Sequence, residues 1–533
     1  MYMNRIFAIL AFLLFWGNAI YSQETWNNRF GDINFDEVTP WNSEDCYYVD
    51  FNSNGVVIIY YWLNNNTGLW ELRFMEIGNN GNENYHNVYA LNDESFHSGF
   101  NNSGYKTVDG GFVNGGSIRP FNGMGTYPIL MRFTPTGDTL WMRRYFDATK
   151  SYSADNVVQT TDGGFALSGR TEVSMDNNNP QMFVIRTDSL GNMLWYKEYG
   201  DPIDAGEFGG NIAETADGGF MIGAQILPTQ TSNSNGYLVR IDSVGNLLWD
   251  MQLGSNQFFE GTVFVRALSD GNFILGRGKG VEIVSNDTHT KAQIIKMNDD
   301  GDVIWQKTFG RLSFFSTTLT VKENPDGTLI AQGITETENP TNQVSSKVGT
   351  LAKFTTDGDS LWMREYSYQP EGTPDAWTIH TLRDVTPLPD GGYAAAGWVN
   401  VLNIPEYPGE FFGQDVWVFK TDSMGCIVAG CDTITGIEEM LFEEQQTWFT
   451  YGPNPVKNQL NVYLTNITQG LVNDLSFELR NLEGKLIRQF YANEFGGISY
   501  MLDIYNQPAS IYILLLTDNG KILQSERIII LKE

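Results

Sequence analysis

Asp162-Gly163-Gly164-Phe165 and, further on, Asp188-Ser189-Leu190-Gly191-Asn192-Met193-Leu194-Trp195 bracket a unit that this chain repeats along most of its length. The first phrase recurs at Asp109-Gly110-Gly111-Phe112, Asp217-Gly218-Gly219-Phe220 and Asp390-Gly391-Gly392-Tyr393, with variants at Asn54-Gly55, Asp270-Gly271 and Asp326-Gly327. The second, Gly-x-x-x-Trp, runs through Gly137…Trp141, Gly191…Trp195, Gly245…Trp249, Gly301…Trp305 and Gly358…Trp362, with degenerate copies at Gly81…Tyr85 and Gly425. Repetition at roughly 55 residues marks an array or a propeller. Asp-Gly and Gly-Asn are hairpin-turn residues because they tolerate positive φ. Between the turns, β-branched and aromatic residues predict strands over 156–160, 165–171, 182–187 and 193–199. Each unit therefore reads as a four-stranded antiparallel meander, one propeller blade. The repeated Trp reads as a ring packed between neighbouring sheets.

Seven copies of each phrase predict seven blades. The last copy lacks its Trp-bearing fourth strand after Asp422-Ser423-Met424-Gly425, and the missing piece stands at the other end of the chain. Trp26-Asn27-Asn28-Arg29-Phe30-Gly31-Asp32 matches Trp195-Tyr196-Lys197-Glu198-Tyr199-Gly200-Asp201 in spacing and character. The N-terminal strand is expected to complete the last blade and remove an exposed sheet edge. A meander also sorts its loops: both repeated turns fall on one rim, and the variable loops, such as 277–291, 309–316, 366–380 and 399–414, fall on the other. A rigid scaffold carries its function on such loops.

Composition bounds the rest. With 33 basic and 63 acidic side chains the net charge is −30, a field that repels nucleic acid and anionic lipid. Arg5, the apolar run Phe7–Trp16 and the polar stretch to Gln23 read as a secretory signal over residues 1–23. No later segment reaches the about 20 apolar residues of a membrane span. Of three cysteines, Cys426 and Cys431 are expected to form a disulfide at the end of the repeats, leaving Cys46 as a small buried residue. The propeller is placed at 24–433 and an acidic linker at 434–449.

Residues 450–533 change character. Candidate strands at 459–464, 475–480, 485–491, 498–504, 511–517 and 522–530 suggest a small immunoglobulin-like β-sandwich. Pro453-Asn454-Pro455 with Leu460-Asn461-Val462, then Asn481-Leu482-Glu483-Gly484-Lys485, Pro508-Ala509-Ser510-Ile511-Tyr512 and the ending Lys521-Ile522-Leu523 through Ile528-Ile529-Ile530-Leu531-Lys532 carry a specific likeness. The segment resembles the C-terminal (type A) sorting domain of proteins exported by the type IX secretion system of Bacteroidetes. Ser510 departs from a common Gly, and Glu533 follows the terminal Lys. The resemblance implies that the outer-membrane translocon is a partner, and that the passenger ends at the cell surface or is released.

The chemistry of the passenger is less legible. Its four histidines form no zinc motif, and there is no nucleophile elbow, phosphate loop or dinucleotide fingerprint. Neither a metal nor a cofactor is called for. Asn298-Asp299-Asp300-Gly301-Asp302 resembles part of a calcium loop but lacks the later Glu and falls at a hairpin turn. On the variable loops, Glu371 and Asp375 stand near Trp377, and Tyr407 near Phe411. Aromatic faces beside acids suit the stacking of sugar rings, and Trp377 is the leading candidate. The expectation is a non-enzymatic surface or secreted propeller that binds an extracellular glycan or protein. The alternative is a polysaccharide hydrolase or lyase with acids on the variable rim.

Overall fold

The computed structural model describes the chain apart from residues 1–23, 31–43, 98–102, 122–124, 147–150, 172–179, 201–204, 229–232, 256, 285–286, 339–344, 369–376, 403–410, 429–448, 453–455, 465–474, 482–484, 492–498, 505–506, 509, 519–520 and 531–533. Among the described residues every regular element is a β-strand, and no helix is long and apolar enough to cross a membrane. Two compact units follow one another, Met1–Met440 and Leu441–Glu533.

In the first unit the strands form seven antiparallel sheets. The third sheet shows the repeat most plainly, as Tyr152–Gln159, Phe165–Thr171, Met182–Thr187 and Met193–Tyr199. Three of these strands match the sequence reading, and the first begins four residues before the expected Asn156. The second sheet is the exception, because its first strand is split into Glu94–His97 and Gly104–Lys106, both paired with Phe112–Pro120. Each sheet touches the next in chain order, and the first touches the seventh. The fold is thus propeller-like. Residues 277–291, expected as a loop, instead extend the hairpin of Phe273–Val284 and Asp287–Met297. Residues 309–316 are also mostly strand, between Val303–Ser313 and Ser316–Glu323.

Closure falls to the N-terminal strand Trp26–Phe30, which pairs with Phe411–Thr421 of the seventh sheet. Trp417 donates its indole N–H to Asn27 at 2.6 Å, and Arg29 pairs with the buried Asp415 at 3.0 Å. On the other side, Trp26 donates to the Asn79 carbonyl at 3.0 Å, and Asn28 to that of Gly81 at 2.6 Å. The strand therefore bonds to the seventh and first sheets at once.

Two repeated contacts explain the two phrases. The Asp of each Asp-Gly turn accepts from a basic residue on the third strand of its own sheet. Asp162 meets Arg186 at 2.6 Å, Asp217 meets Arg240 at 2.9 Å, Asp270 meets Lys296 at 2.7 Å and Asp390 meets Lys420 at 2.8 Å. In the first sheet the polarity is reversed: Glu76 takes the basic position and accepts from Asn52 of the turn. The Trp phrase joins sheets. Trp141, Trp195, Trp249, Trp305 and Trp362 each lie against the glycine of the next sheet's turn, Gly191, Gly245, Gly301, Gly358 and Gly425. Trp26 lies against Gly81 in the same way. At Gly358, φ is +84° and a Cβ would sit 2.9 Å from the Trp305 ring, so glycine is required twice over. Tyr145, Tyr199 and Tyr366 add hydroxyl bonds to the carbonyls of Gly191, Gly245 and Gly425.

The second unit holds a three-stranded and a four-stranded antiparallel sheet around one core that includes Leu460, Phe477, Leu502, Leu514 and Ile528. Its strands Gln459–Leu464, Leu475–Arg480, Leu486–Tyr491, Ser499–Asp503, Ser510–Asp518 and Lys521–Ile530 fall on the expected stretches, and Phe449–Gly452 adds a seventh.

Candidate functional site

The strands leave a cavity of about 220 Å³ on the rim away from the repeated turns, where the first, second and seventh sheets meet. Glu44–Phe51 supplies Asp45 and Tyr47; Gly55–Asn64 and Leu69–Gly78 supply Tyr61 and Trp70. Phe96 and His97 come from Glu94–His97, and Gln414 from the seventh sheet. Asp45 lies directly across the ladder from Tyr61, and the register slips between Cys46 and Tyr48. Such a bulge re-aims the extra residue, here Tyr47. The Tyr47 and Tyr61 rings meet edge to face, 5.8 Å apart at 82°.

The polar groups of this cavity are unevenly satisfied. Arg383, on Trp377–Pro387, donates to Asp45 Oδ2 at 3.2 Å and lies 5.1 Å from the centre of the Tyr47 ring. Tyr47 also hydrogen-bonds to Asp45, and the other carboxylate oxygen, Oδ1, is buried with no partner among the described residues. Burial raises the Asp45 pKa, and Arg383 and Tyr47 pull it back down. Tyr61 accepts from Asn114 at 3.2 Å, and burial pushes its hydroxyl up to about 12. Gln414 is tied by a 2.8 Å bond to the Glu44 carbonyl. His97 is brought down to about 4 by burial first and by Arg119 second, so it is neutral at pH 7. By contrast, His380 is buried beside Trp417 and bonded to the Tyr368 backbone at 2.7 Å, a structural role.

A wider hollow of about 730 Å³ opens on the turn rim, but its charges are engaged. Lys106 is held by the Phe51 carbonyl at 2.6 Å, and Glu323 by Ser269 at 2.7 Å. At the calcium-like stretch, Asp299 is bound by Arg240 of the preceding sheet at 2.7 Å. Among the described residues no cluster of three metal-ligating side chains occurs.

Of the residues expected to bind ligand, Glu371, Asp375 and Tyr407 lie outside the described residues. Trp377 and Phe411 begin the first and third strands of the seventh sheet, and both pair with Leu402 between them. The backbone thus sets the two in one row across the sheet. The walls of the cavity itself were missed, although Tyr47-Tyr48, Tyr60-Tyr61-Trp62 and Trp70 form an aromatic-rich run that the other repeats lack. Cys46 is a buried free thiol, and Cys426 is disulfide-bonded; Cys431 lies outside the described residues.

Comparison with known proteins separates the two units. Residues 451–531 match the family described as the secretion system C-terminal sorting domain. The chain is therefore cargo of the type IX secretion system, exported and then attached to the cell surface or released from it. No curated protein matches the sequence. Among solved structures, the chain is similar to the polysaccharide lyase Uly1, with 10% identity over 76% of this chain and 94% of the other and a TM-score of 0.41. It is also similar to a protein of unknown function from Dyadobacter fermentans, with 10% identity, 71% and 94% coverage and a TM-score of 0.38. A Penicillium chrysogenum alpha-L-arabinanase complexed with arabinobiose gives 11% identity, 58% and 93% coverage and a TM-score of 0.37.

Proposed function

We propose that the passenger is a seven-bladed β-propeller that binds an extracellular ligand on its variable rim without chemically altering it. Seven sheets in cyclic contact, closed by Trp26–Phe30, support the blade count. The accompanying layout is a signal peptide at 1–23, the propeller at 24–433, an acidic linker at 434–449 and an immunoglobulin-like sorting sandwich at 450–533. Cys426 is assigned to Cys431, since Cys46 is free.

One observation carries the binding reading. The rim cavity is walled by aromatic rings, and among the described residues it presents a single carboxyl group, Asp45, already facing Arg383. Glycosidases act with two carboxyl groups about 5–9.5 Å apart. An aromatic pocket with a few fixed polar groups is the usual form of a binding site. Trp377 and Phe411, with Glu371, Asp375 and Tyr407 nearby in sequence, extend the proposed contact surface along the seventh sheet.

The test passes the purified exported chain over a panel of immobilised polysaccharides and extracellular proteins, with an assay for new reducing or unsaturated ends. Selective retention with no new ends is the expected result. New ends would replace this reading with that of a hydrolase or lyase.

A further inference from the structure

We infer that the axis of the first unit holds a small monocarboxylate, bound by the Arg266 guanidinium and the Tyr105 hydroxyl where the inner strands end at the turn-rim hollow. This site is separate from the rim cavity beside Asp45 and takes a different ligand.

The placement follows from the repeat. The first strand of each sheet touches the first strand of the next all the way round, so these strands enclose the axis. Four residues before the Asp or Asn of its turn, each strand contributes to one layer, which holds Asp50, Tyr105, Arg266, Lys322 and Thr386 besides two apolar residues. Asp50 and Thr386 of this layer line the hollow of about 730 Å³. Arg266 starts from Phe264–Ala267 in the fifth sheet. Burial raises the pKa of Asp384 and of Tyr105, and Arg266 counters it in both, behind Lys322 in the case of Asp384. Those two residues belong to the seventh and second sheets, neither of which adjoins the fifth. The tip of Arg266 therefore reaches the axis.

The other charges of this layer are matched. Lys322 meets Asp384 at 3.0 Å, and Asp384 also accepts from the Val49 backbone at 3.1 Å. Asp50 accepts from Tyr48 at 3.0 Å and lies 3.5 Å from Lys106. Glu214, which also acts on Tyr105, accepts from the Thr161 backbone at 2.8 Å. Arg266 differs. Among the described residues no carboxylate lies within ion-pair distance of it, and its Nε is buried without a hydrogen-bond partner. The side chain is only half-buried, so its charge is left to the two outer nitrogens at the axis. A guanidinium presents paired N–H donors that match the two oxygens of a carboxylate. The Tyr105 hydroxyl adds a donor from across the axis.

Charge narrows the class of ligand. Asp384, Asp50 and Glu214 stand close by, and the chain carries a net charge of −30, so a second negative charge is disfavoured. One carboxylate matches the one cation left unpaired. The hollow above leaves room for a short uncharged tail.

The experiment titrates the full exported chain with sodium acetate by calorimetry, holding ionic strength constant with sodium chloride. Saturable binding is expected. Arg266→Gln should weaken it by about tenfold or more, and Tyr105→Phe by about threefold. If Arg266→Gln fails to fold, Arg266→Lys, which keeps the charge but loses the fork, carries the test together with Tyr105→Phe. Absence of saturable acetate binding, or binding that the folded variants retain in full, would overturn the inference. Saturable binding of sulfate with none of acetate would overturn it as well. Folded Arg266→Gln should keep its retention on the polysaccharide and protein panel, and loss of that retention would overturn the separation of the two sites. Failure to bind acetate leaves the binding propeller standing.

Discussion

Asp162 and Asp45 each face an arginine, at 2.6 Å and 3.2 Å, on opposite rims of the same unit. Asp162 sits in a turn with its side chain 65% exposed, and it accepts from Thr160, Gly164 and Arg186. These bonds, led by the Thr160 hydroxyl, lower its pKa to about 2. Asp45 is buried, one of its oxygens has no partner among the described residues, and its pKa is raised. The difference lies in how fully each carboxylate is satisfied. On the turn rim the pair closes a hairpin and leaves nothing to offer a ligand. On the variable rim the pair holds a buried carboxylate in place beside a cavity.

The largest effect is expected where the repeated contacts close the ring. Trp26→Ala should destabilise the first unit by about 3–5 kcal/mol in denaturant titration, the usual cost of truncating a buried Trp. A much smaller loss would mean that the N-terminal strand is ornamental. Next comes a paired comparison of glycines. Gly358→Ala should cost about 2–4 kcal/mol, since positive φ and a clash with Trp305 add together. Gly163→Ala, also at positive φ but with its nearest neighbour 4.0 Å away, should cost only about 1–2 kcal/mol. Equal losses would show that the Trp contact does not matter.

Arg186→Ala should cost about 1–3 kcal/mol, because it removes charged hydrogen bonds from the Asp162 turn. The same turns set an acid dependence. Asp162 and Asp217 are both lowered to about 2 when folded, against about 3.9 in an unfolded chain. Their contribution is present above about pH 4 and is lost as pH falls toward 2. Asp162→Asn should flatten that loss in an acid-unfolding series. Asp45 works with the opposite sign: its raised folded value means that its contribution falls as pH climbs above about 4. If Asp162→Asn and Asp45→Asn shift the acid profile in the same direction, the contrast between the rims is wrong. The smallest effect is expected at His97, where Ala should change stability by less than about 1 kcal/mol.

The scaffold was legible because its information is local. Asp-Gly-Gly fixes a turn within four residues, so the strands at 165–171, 182–187 and 193–199 were read with their correct bounds. The match of Trp26 to Trp195 worked because a repeat supplies its own template. The cavity was not legible, because it depends on contacts across the ring closure: Asp45 with Arg383, and Glu44 with Gln414. Such pairs lie more than 330 residues apart in sequence. The aromatic run from Tyr47 to Trp70 also resembles an ordinary core, and the bulge at Tyr47 recurs at the matching place in the first strands of other sheets, so neither marks the wall. Residues 277–291 misled for a related reason: their polar composition suits a loop, yet ladder pairing extends through them.

Hydrogen–deuterium exchange, with and without a ligand retained from the binding panel, tests most directly the assignment of scaffold and binding to opposite rims. Protection is expected in 44–47, 61–70 and 94–97, with the turns at 109–112, 162–165 and 217–220 unchanged. Protection confined to those turns would contradict it and move the ligand to the opposite rim.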